Sequence, residues 1–437
     1  MKKFTLLFLS VLFSFSAFCQ LRSGPMPGYS DMREVLIWAQ TLRPARVKAV
    51  YWETTQPKVR YETAVVTTEQ ASACTAHLLA DQVLPGKRYQ YEIHVDGKKL
   101  NIPYPLTFQS QPLWQWRSDP PAFRFAVGSC TYISEPDFDR PGPAYGGAYE
   151  IFTAINRQKP DFMLWTGDNT YLREPDWNTR SGVMKRYTHT RATKEMQPLL
   201  GSTHHYAIWD DHDFGPNDSD RGYWLKPVTL EAFKRFWGNP NFVFDDGITG
   251  TFFWNDCQFF LLDNRSYRTP NDLKTVNRTV LGKKQFDWLI DALAFSKATF
   301  KFVVIGGQVV NPSVVFENYS TYAAERDSLL KAITDARIPG VLFLTGDRHH
   351  TIIHKLDRPG TYPLYDITIS PLTSGAGKPR DEELKQPTYV DGTMVGERNF
   401  GMFDVSGPLN NRVLKITVYD GKGTERWTRE IRASDLK

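Results

Sequence analysis

Alternating apolar and polar positions dominate the start of the chain. "PARVKAVYWE", "VRYETAVVT" and "KRYQYEIHVDG" change side at nearly every residue, with turn residues between them. That two-residue period is the mark of half-buried strands. Asp96-Gly97 adds a hairpin signal after the third run. The pattern predicts a small all-β sandwich, similar to a fibronectin type III module, over residues 20–118. Its boundary falls in "QSQPLWQWRSDPPA". From Phe123 the pattern changes. "FRFAVGSC", "PDFMLWTGD", "HHYAIWDDHD", "FKFVVIGGQ" and "VLFLTGDRHH" are short apolar runs ending in polar residues, as buried strands do. Between them "YEIFTAINRQ", "KKQFDWLIDALAFS" and "ERDSLLKAITDARIPG" read as helices. In the second, Phe286, Leu289, Ile290 and Leu293 recur at i, i+3, i+4 and i+7. Strands alternating with helices predict an α/β domain over residues 119–437. The tail, "RVLKITVYDGKGTERWTREI", predicts a hairpin at Asp420-Gly421, expected to edge a second sheet of that domain.

The first residues break both patterns. In "MKKFTLLFLSVLFSFSAFCQ", Lys2 and Lys3 precede an apolar run too short to span a bilayer comfortably. This predicts a signal peptide over residues 1–19, cut near Cys19 and Gln20, and a periplasmic or secreted protein. Lipid attachment at Cys19 is the less favoured alternative, since Phe18 suits that processing poorly. No later stretch reads as a transmembrane helix. Loss of residues 1–19 removes two lysines and no acid, which lowers the net charge from +5 to +3. So weak a balance neither requires nor excludes a polyanion, and no nucleic-acid or protein partner is inferred. With 41% hydrophobic residues the chain can bury a large core. Cys74, Cys130 and Cys257 would remain, so at least one thiol stays unpaired. Metal ligation is one explanation for it.

Four strand ends carry unusual polar clusters: Gly128-Ser129-Cys130, Gly167-Asp168-Asn169-Thr170-Tyr171, Asp210-Asp211-His212-Asp213 and Gly346-Asp347-Arg348-His349-His350. One acidic loop is ordinary, because turns and helix caps are full of aspartate. A buried cysteine is more often a core thiol than a ligand, and a tyrosine is more often a packing residue. Four clusters that each follow an apolar strand are harder to obtain from capping. The carboxyl ends of strands in an α/β sheet converge on one crevice. Carboxylates, thiol, phenol and imidazole gathered there would repel or go unpaired without a cation among them.

In this order, "GSC", "GDNTY", "WDDHD" and "GDRHH" resemble the alkaline phosphatase D family of the metallophosphoesterase superfamily. The resemblance extends to "LDNRSYR", "GGQVVNP" and "SPLTSG", and covers roughly residues 25–430. It implies a four-layer α/β/β/α sandwich behind the β-sandwich domain. It also implies metal ligands at Cys130, Asp168 (bridging two ions), Tyr171, Asp211, Asp347 and His349. By the same resemblance His212 contacts phosphate and acts as proton donor, and Asp213 orients His212 from behind. Asn169 and Arg348 are expected to touch substrate; Arg173 and Arg268 are further candidates for a phosphate clamp. His350 stays unassigned, and His204 and His205 are expected to be structural. Thr131 and Leu172-Arg173-Glu174 depart from the family pattern, which leaves substrate preference open.

Iron(III) is the cation implied for the thiolate and phenolate side. Calcium suits the oxygen-rich side, with Mn(II) or Zn(II) as alternatives. The expected activity is metal-dependent hydrolysis of phosphomonoesters, phosphodiesters or both, by attack of a metal-bound hydroxide. A nuclease or phospholipid phosphodiesterase would use the same site. A noncatalytic adhesin or glycan-binding protein is the rival of another class; intact ligands at all four strand ends disfavour it.

Overall fold

In the computed structural model, which describes residues 20–274 and 277–437, two six-stranded sheets face each other. The first runs His204–Ile208, Phe162–Thr166, Phe123–Gly128, Asn399–Ser406, Val413–Asp420 and Glu425–Arg432. Its first three strands are parallel and the rest antiparallel. The second runs Gly250–Trp254, Cys257–Leu261, Phe300–Val304, Val341–Thr345, Leu364–Thr368 and Ile352–Leu356. Its middle four strands are parallel.

Aromatic side chains fill the space between the sheets. Phe125 meets Phe259 and Phe302 edge-on at 5.3 and 5.6 Å, and Tyr206 stacks on Phe252 at 3.7 Å. The alternate residues point outward to helices. Trp165 packs on Phe152 of helix Glu150–Arg157, and Phe260 on Trp288 of helix Gly282–Phe295. Covered on both faces, these strands have no polar face to show, which is why they read as unbroken apolar runs. The result is the expected α/β/β/α layering.

Ahead of it, Leu21–Ser30, Val35–Thr41 and Thr75–Ala80 form a three-stranded sheet. Arg46–Glu53 and Arg88–Val95 centre another, with short strands paired along both. Ile37, Leu78, Val47, Tyr91 and Ile93 belong to a buried cluster of their own, whereas Met26 and Trp38 join the main core. Trp38 Nε1 donates to the Arg235 carbonyl at 2.8 Å, and the Ser30 amide donates to the Tyr206 hydroxyl at 3.0 Å.

The all-β reading of residues 20–118 includes one strand that no alternating run had marked. Leu21–Ser30 carries Pro25 and Pro27 and does not alternate. It is a sheet-edge strand with shifted register, where missing amide donors are tolerated. The tail hairpin extends the first sheet, the one that contains Phe123–Gly128, through Asn399–Ser406. His204 and His205 are structural: Gln109 N–H donates to His204 Nε2 at 3.0 Å, and Trp165 Nε1 donates to His205 Nδ1 at 2.9 Å. The signal peptide and Cys19 lie outside the described residues. No helix among the described residues is long and apolar enough to cross a membrane.

Arg412 staples the tail to the second sheet. Its guanidinium binds Asp256 through Nε at 3.1 Å and a terminal nitrogen at 2.8 Å, and it donates to the carbonyls of Pro120, Pro121 and Gly407. Both partners are almost fully buried. Arg412→Ala would strand the Asp256 carboxylate, and removal of one member of a buried pair costs about 3–5 kcal/mol. A clear fall in urea midpoint is expected; an unchanged midpoint would mean that water replaces the guanidinium.

Candidate metal centre

The carboxyl ends of the parallel strands in both sheets point to one place. Phe123–Gly128 delivers Cys130, Phe162–Thr166 delivers Asp168 and Tyr171, and His204–Ile208 delivers Asp210 and Asp211. From the other sheet Val341–Thr345 delivers Asp347 and His349, and Leu364–Thr368 delivers Ser370. Cys130, Asp168, Asp347 and His349 all take the left-handed backbone conformation, with φ of 58°, 53°, 64° and 54°. For residues with a side chain this costs of order 1–3 kcal/mol each, and such strain gathers at functional sites. Gly306 allows the loops to close in: a Cβ there would lie 2.0 Å from Asp210 Oδ2.

On one side of the cluster stand Cys130, Asp168 and His349, whose donor atoms lie within 4.8 Å of one another. Asp168 Oδ2 is 3.7 Å from Cys130 Sγ and 3.1 Å from the Tyr171 hydroxyl, which is 3.4 Å from His349 Nε2. Ser370 Oγ donates to Cys130 Sγ at 3.2 Å and accepts from the His349 amide at 3.1 Å. The other side is made of Asp210, Asp211 and Asp347, again within 4.8 Å. Asp168 reaches this side too, in a group with Asp211 and His212.

Electrostatics explain why such a cluster needs a cation. Burial, then Asp211, Asp210, Asp213 and Asp347, push the Asp168 carboxyl well above its ordinary range. Burial and the neighbouring aspartates do the same to Asp347. Burial raises the Cys130 thiol and the Tyr171 phenol, with Asp168 adding to both. Asp210 is pushed up to about 6 by burial although Arg265 opposes it. Oδ2 of Asp210, Oδ1 of Asp211 and Oδ1 of Asn169 are buried with no hydrogen-bond partner among the described residues. Acceptor-only oxygens left bare beside a thiol, a phenol and an imidazole fit bound metal ions.

The structure thus brings together Cys130, Asp168, Tyr171, Asp211, Asp347 and His349. His212 lies beside them, its ring stacked on Tyr171 at a centroid distance of 4.2 Å. Three residues sit differently from expectation. The Asp213 carboxylate is not behind His212, whose Nδ1 is buried without a partner among the described residues. It accepts instead from the amides of Asn169 at 3.0 Å and Asp210 at 3.1 Å, and so ties two loops together; burial pushes it up to about 8. Neighbours on a one-turn helix point apart, so the two side chains cannot meet. Arg348 is not free for substrate, because Glu383, Gln308 and Asn318 take its donors at 2.7–3.0 Å. The Asn169 side-chain amide donates to the Ile208 carbonyl at 2.7 Å, which leaves an acceptor rather than a donor for the site.

Of the other arginines, Arg268 is held by Glu317 and Asn271. Arg173 donates from Nε to the Tyr132 hydroxyl at 3.1 Å and lines a cleft of about 570 Å³ with Tyr145, Tyr171 and His212. The sequence reading missed Asp210, Ser370 and Glu317. Asp210 was visible beside Asp211, and Ser370 opens "SPLTSG". Nothing near Glu317 in sequence reveals that it faces Arg265 and Arg268.

Comparison with known proteins follows the same line. Residues 248–410 match the family described as PhoD-like phosphatase, and residues 19–112 match a domain of unknown function, DUF7800. Alkaline phosphatase D of Bacillus subtilis (strain 168) is 22% identical over 365 residues, 70% of this chain and 59% of that protein. Acid sphingomyelinase-like phosphodiesterase 3b of Homo sapiens is 25% identical over 312 residues, 63% of this chain and 62% of that protein. The chain thus spans about three-fifths of the length of these curated relatives. A solved structure described as "Structure of PhoD" superposes with a TM-score of 0.76 over 95% of this chain and 93% of the other, at 17% identity. The fold is shared. The resemblance read from the ordered motifs thus reappears in family match, relative and fold. Cys130, Asp168, Tyr171 and Asp211 lie before residue 248, outside the PhoD-like match.

Proposed function

We propose, for a chain that carries a PhoD-like phosphatase domain over residues 248–410, that the strand-end cluster binds two cations and hydrolyses phosphoric esters. One observation carries this reading: Asp168 stands in one group with Cys130 and His349 and in another with Asp211 and His212, and Asp211 in turn groups with Asp210 and Asp347. Cys130, Tyr171, His349 and one oxygen of Asp168 would hold Fe(III). Asp168, with Asp210, Asp211 and Asp347, would also hold Ca(II), with Mn(II) or Zn(II) as alternatives. Bound there, the ions would supply Lewis acidity and a nucleophile at neutral pH.

The side chains do the rest. Arg173 binds a phosphoryl oxygen in the cleft it lines. His212, held flat against the Tyr171 ring, gives a proton to the leaving oxygen. Asp213 keeps the Asp168 and Asp210 loops in register through the two amides it accepts. We also propose that residues 1–19 are a leader, that residues 20–118 and 119–437 are separate domains, and that the protein works in the periplasm or outside the cell.

Protein purified without chelator is expected to carry about two metal ions per chain and to absorb visible light from the Tyr171 and Cys130 ligands. It should hydrolyse p-nitrophenyl phosphate, its bis-ester, or both, and the ratio of the two rates assigns monoester or diester preference. Cys130→Ser should lose the visible band and about one of the two ions. A colourless, metal-free, inactive wild type would sink the proposal. A Cys130→Ser protein with the wild-type spectrum would remove the thiol from the ligand set.

A further inference from the structure

We infer that Tyr145 is a positioning residue that fixes the ring of His349 with Nε2 toward the metal centre; this rests on the reading of His349 as a ligand. Nε2 is the nitrogen on the cluster side, 3.4 Å from the Tyr171 hydroxyl. The Tyr145 hydroxyl lies 3.1 Å from the other nitrogen, Nδ1. A neutral imidazole that offers its Nε2 lone pair to a cation must carry its hydrogen on Nδ1, and that hydrogen needs an acceptor. The Tyr145 oxygen supplies one, and the Gly375 backbone is a second contact of the ring.

The seat of Tyr145 is built for it. Its ring stands edge-on to Tyr132 at 5.0 Å and to Tyr171 at 6.3 Å. A Cβ on Gly375 would come within 2.8 Å of Tyr145 Cε2, so only glycine leaves room for this ring. Arg398 donates to the Tyr145 carbonyl at 3.1 Å, and the Gly147 amide donates to the Thr373 carbonyl at 3.0 Å. The His349 backbone is pinned independently, by Ser370 Oγ and by the Gly377 amide. What remains to be fixed is rotation of the imidazole, and the tyrosine acts there. Tyr145 sits in "PAYGG", between a proline-rich run and two glycines, where no metal motif would draw attention to it.

Co(II) titrated into the chelator-stripped full-length chain, read at the thiolate-to-Co(II) absorption, tests this. Tyr145→Phe keeps the ring and deletes the hydroxyl. It should weaken Co(II) binding about 10-fold, at the low end of the 10–100-fold typical of such partners because the Gly375 backbone remains. Thermal melting of the metal-free protein should not move. Gly375→Ala, which pushes the ring off its seat, should weaken binding in the same direction. His349→Ala should lose binding altogether. If Tyr145→Phe, or a normally melting Gly375→Ala, binds Co(II) as tightly as wild type while His349→Ala does not, the inference is overturned and the ligand reading survives. If His349→Ala binds like wild type, or if the wild type gives no thiolate band, the ligand reading itself fails and takes the inference with it.

Discussion

Asp168→Ala is expected to hold neither ion and to lose about 10³-fold or more of any phosphoesterase activity. Its carboxylate is the one group that belongs to both halves of the cluster, with Cys130 and His349 on one side and Asp211 and His212 on the other. On the proposed reading, its removal would take a ligand from each ion and the negative charge that screens their mutual repulsion. Bound ions would account for several kcal/mol of transition-state stabilisation, and each 1.36 kcal/mol is a factor of ten. Alanine at φ 53° keeps the backbone cost, so Asp168→Gly is the second variant to make. Both should be metal-free by elemental analysis. Their stability carries a further signature. In metal-free wild type the Asp168 carboxyl is raised above its ordinary 3.8 by burial and by four other aspartates. A raised carboxyl leaves the folded state holding a proton that the unfolded state has released, so it destabilises the fold increasingly as pH rises above 3.8. Metal-free Asp168→Gly should therefore melt above metal-free wild type at pH 7, with the charge-derived part of that gain gone below pH 4. Retention of both ions in the variants would end the bridging assignment.

His212→Ala should show the opposite division: metal content near wild type and kcat lowered ~10²–10⁴-fold, the usual worth of a placed proton donor. His212 offers its backbone amide to Asp168 Oδ1 at 3.2 Å, which alanine preserves, and its ring lines the cleft. Burial lowers its pKa, while Asp211 pulls in the other direction. An imidazolium in this position is a stronger acid than a free one, and the charge of a bound phosphoric ester favours its formation. The loss should be smaller for p-nitrophenyl phosphate than for an alkyl phosphate, since nitrophenolate leaves without a proton. His212 lies close enough to Asp168 and Asp211 to be a ligand itself, and metal analysis separates the roles. A site emptied as in Asp168→Ala would make it a ligand. Equal losses on the two substrates, with chemistry limiting, would leave it only a phosphate contact.

How much of this was legible in the sequence depended on whether the information was local. Strand ends announce themselves because a run such as "VLFLT" must stop being apolar where it leaves the sandwich, and the proposed ligands stand within five residues of that point. The order of the four clusters then fixed the family resemblance. What a side chain touches once there is not local. Arg348 looks available in "GDRHH", yet it is engaged by Glu383, 35 residues away. Asp213 looks like the partner of its neighbour His212, but helix geometry sends it to the amides of Asn169 and Asp210. Leu21–Ser30 lies in the stretch read as β, but its prolines break the alternation, so its own strand and its place at a sheet edge are not visible locally. The tail hairpin was readable as a hairpin, but the sheet it joins is decided by Asn399–Ser406, which gave no clear alternating signal.

The left-handed backbone at Cys130, Asp168, Asp347 and His349 has a consequence for how this chain can evolve. At each of these positions glycine would relax the backbone, and at the two aspartates it would also remove a crowded charge. Selection for heat resistance alone therefore favours glycine most at the two aspartates, where backbone relief and loss of crowded charge act together, and either step removes a carboxylate from the proposed metal centre. Such drift should leave a fingerprint: glycines where the strand ends once carried Asp168 and Asp347. Stabilising screens on this scaffold should hold those four codons fixed and look for their gains elsewhere.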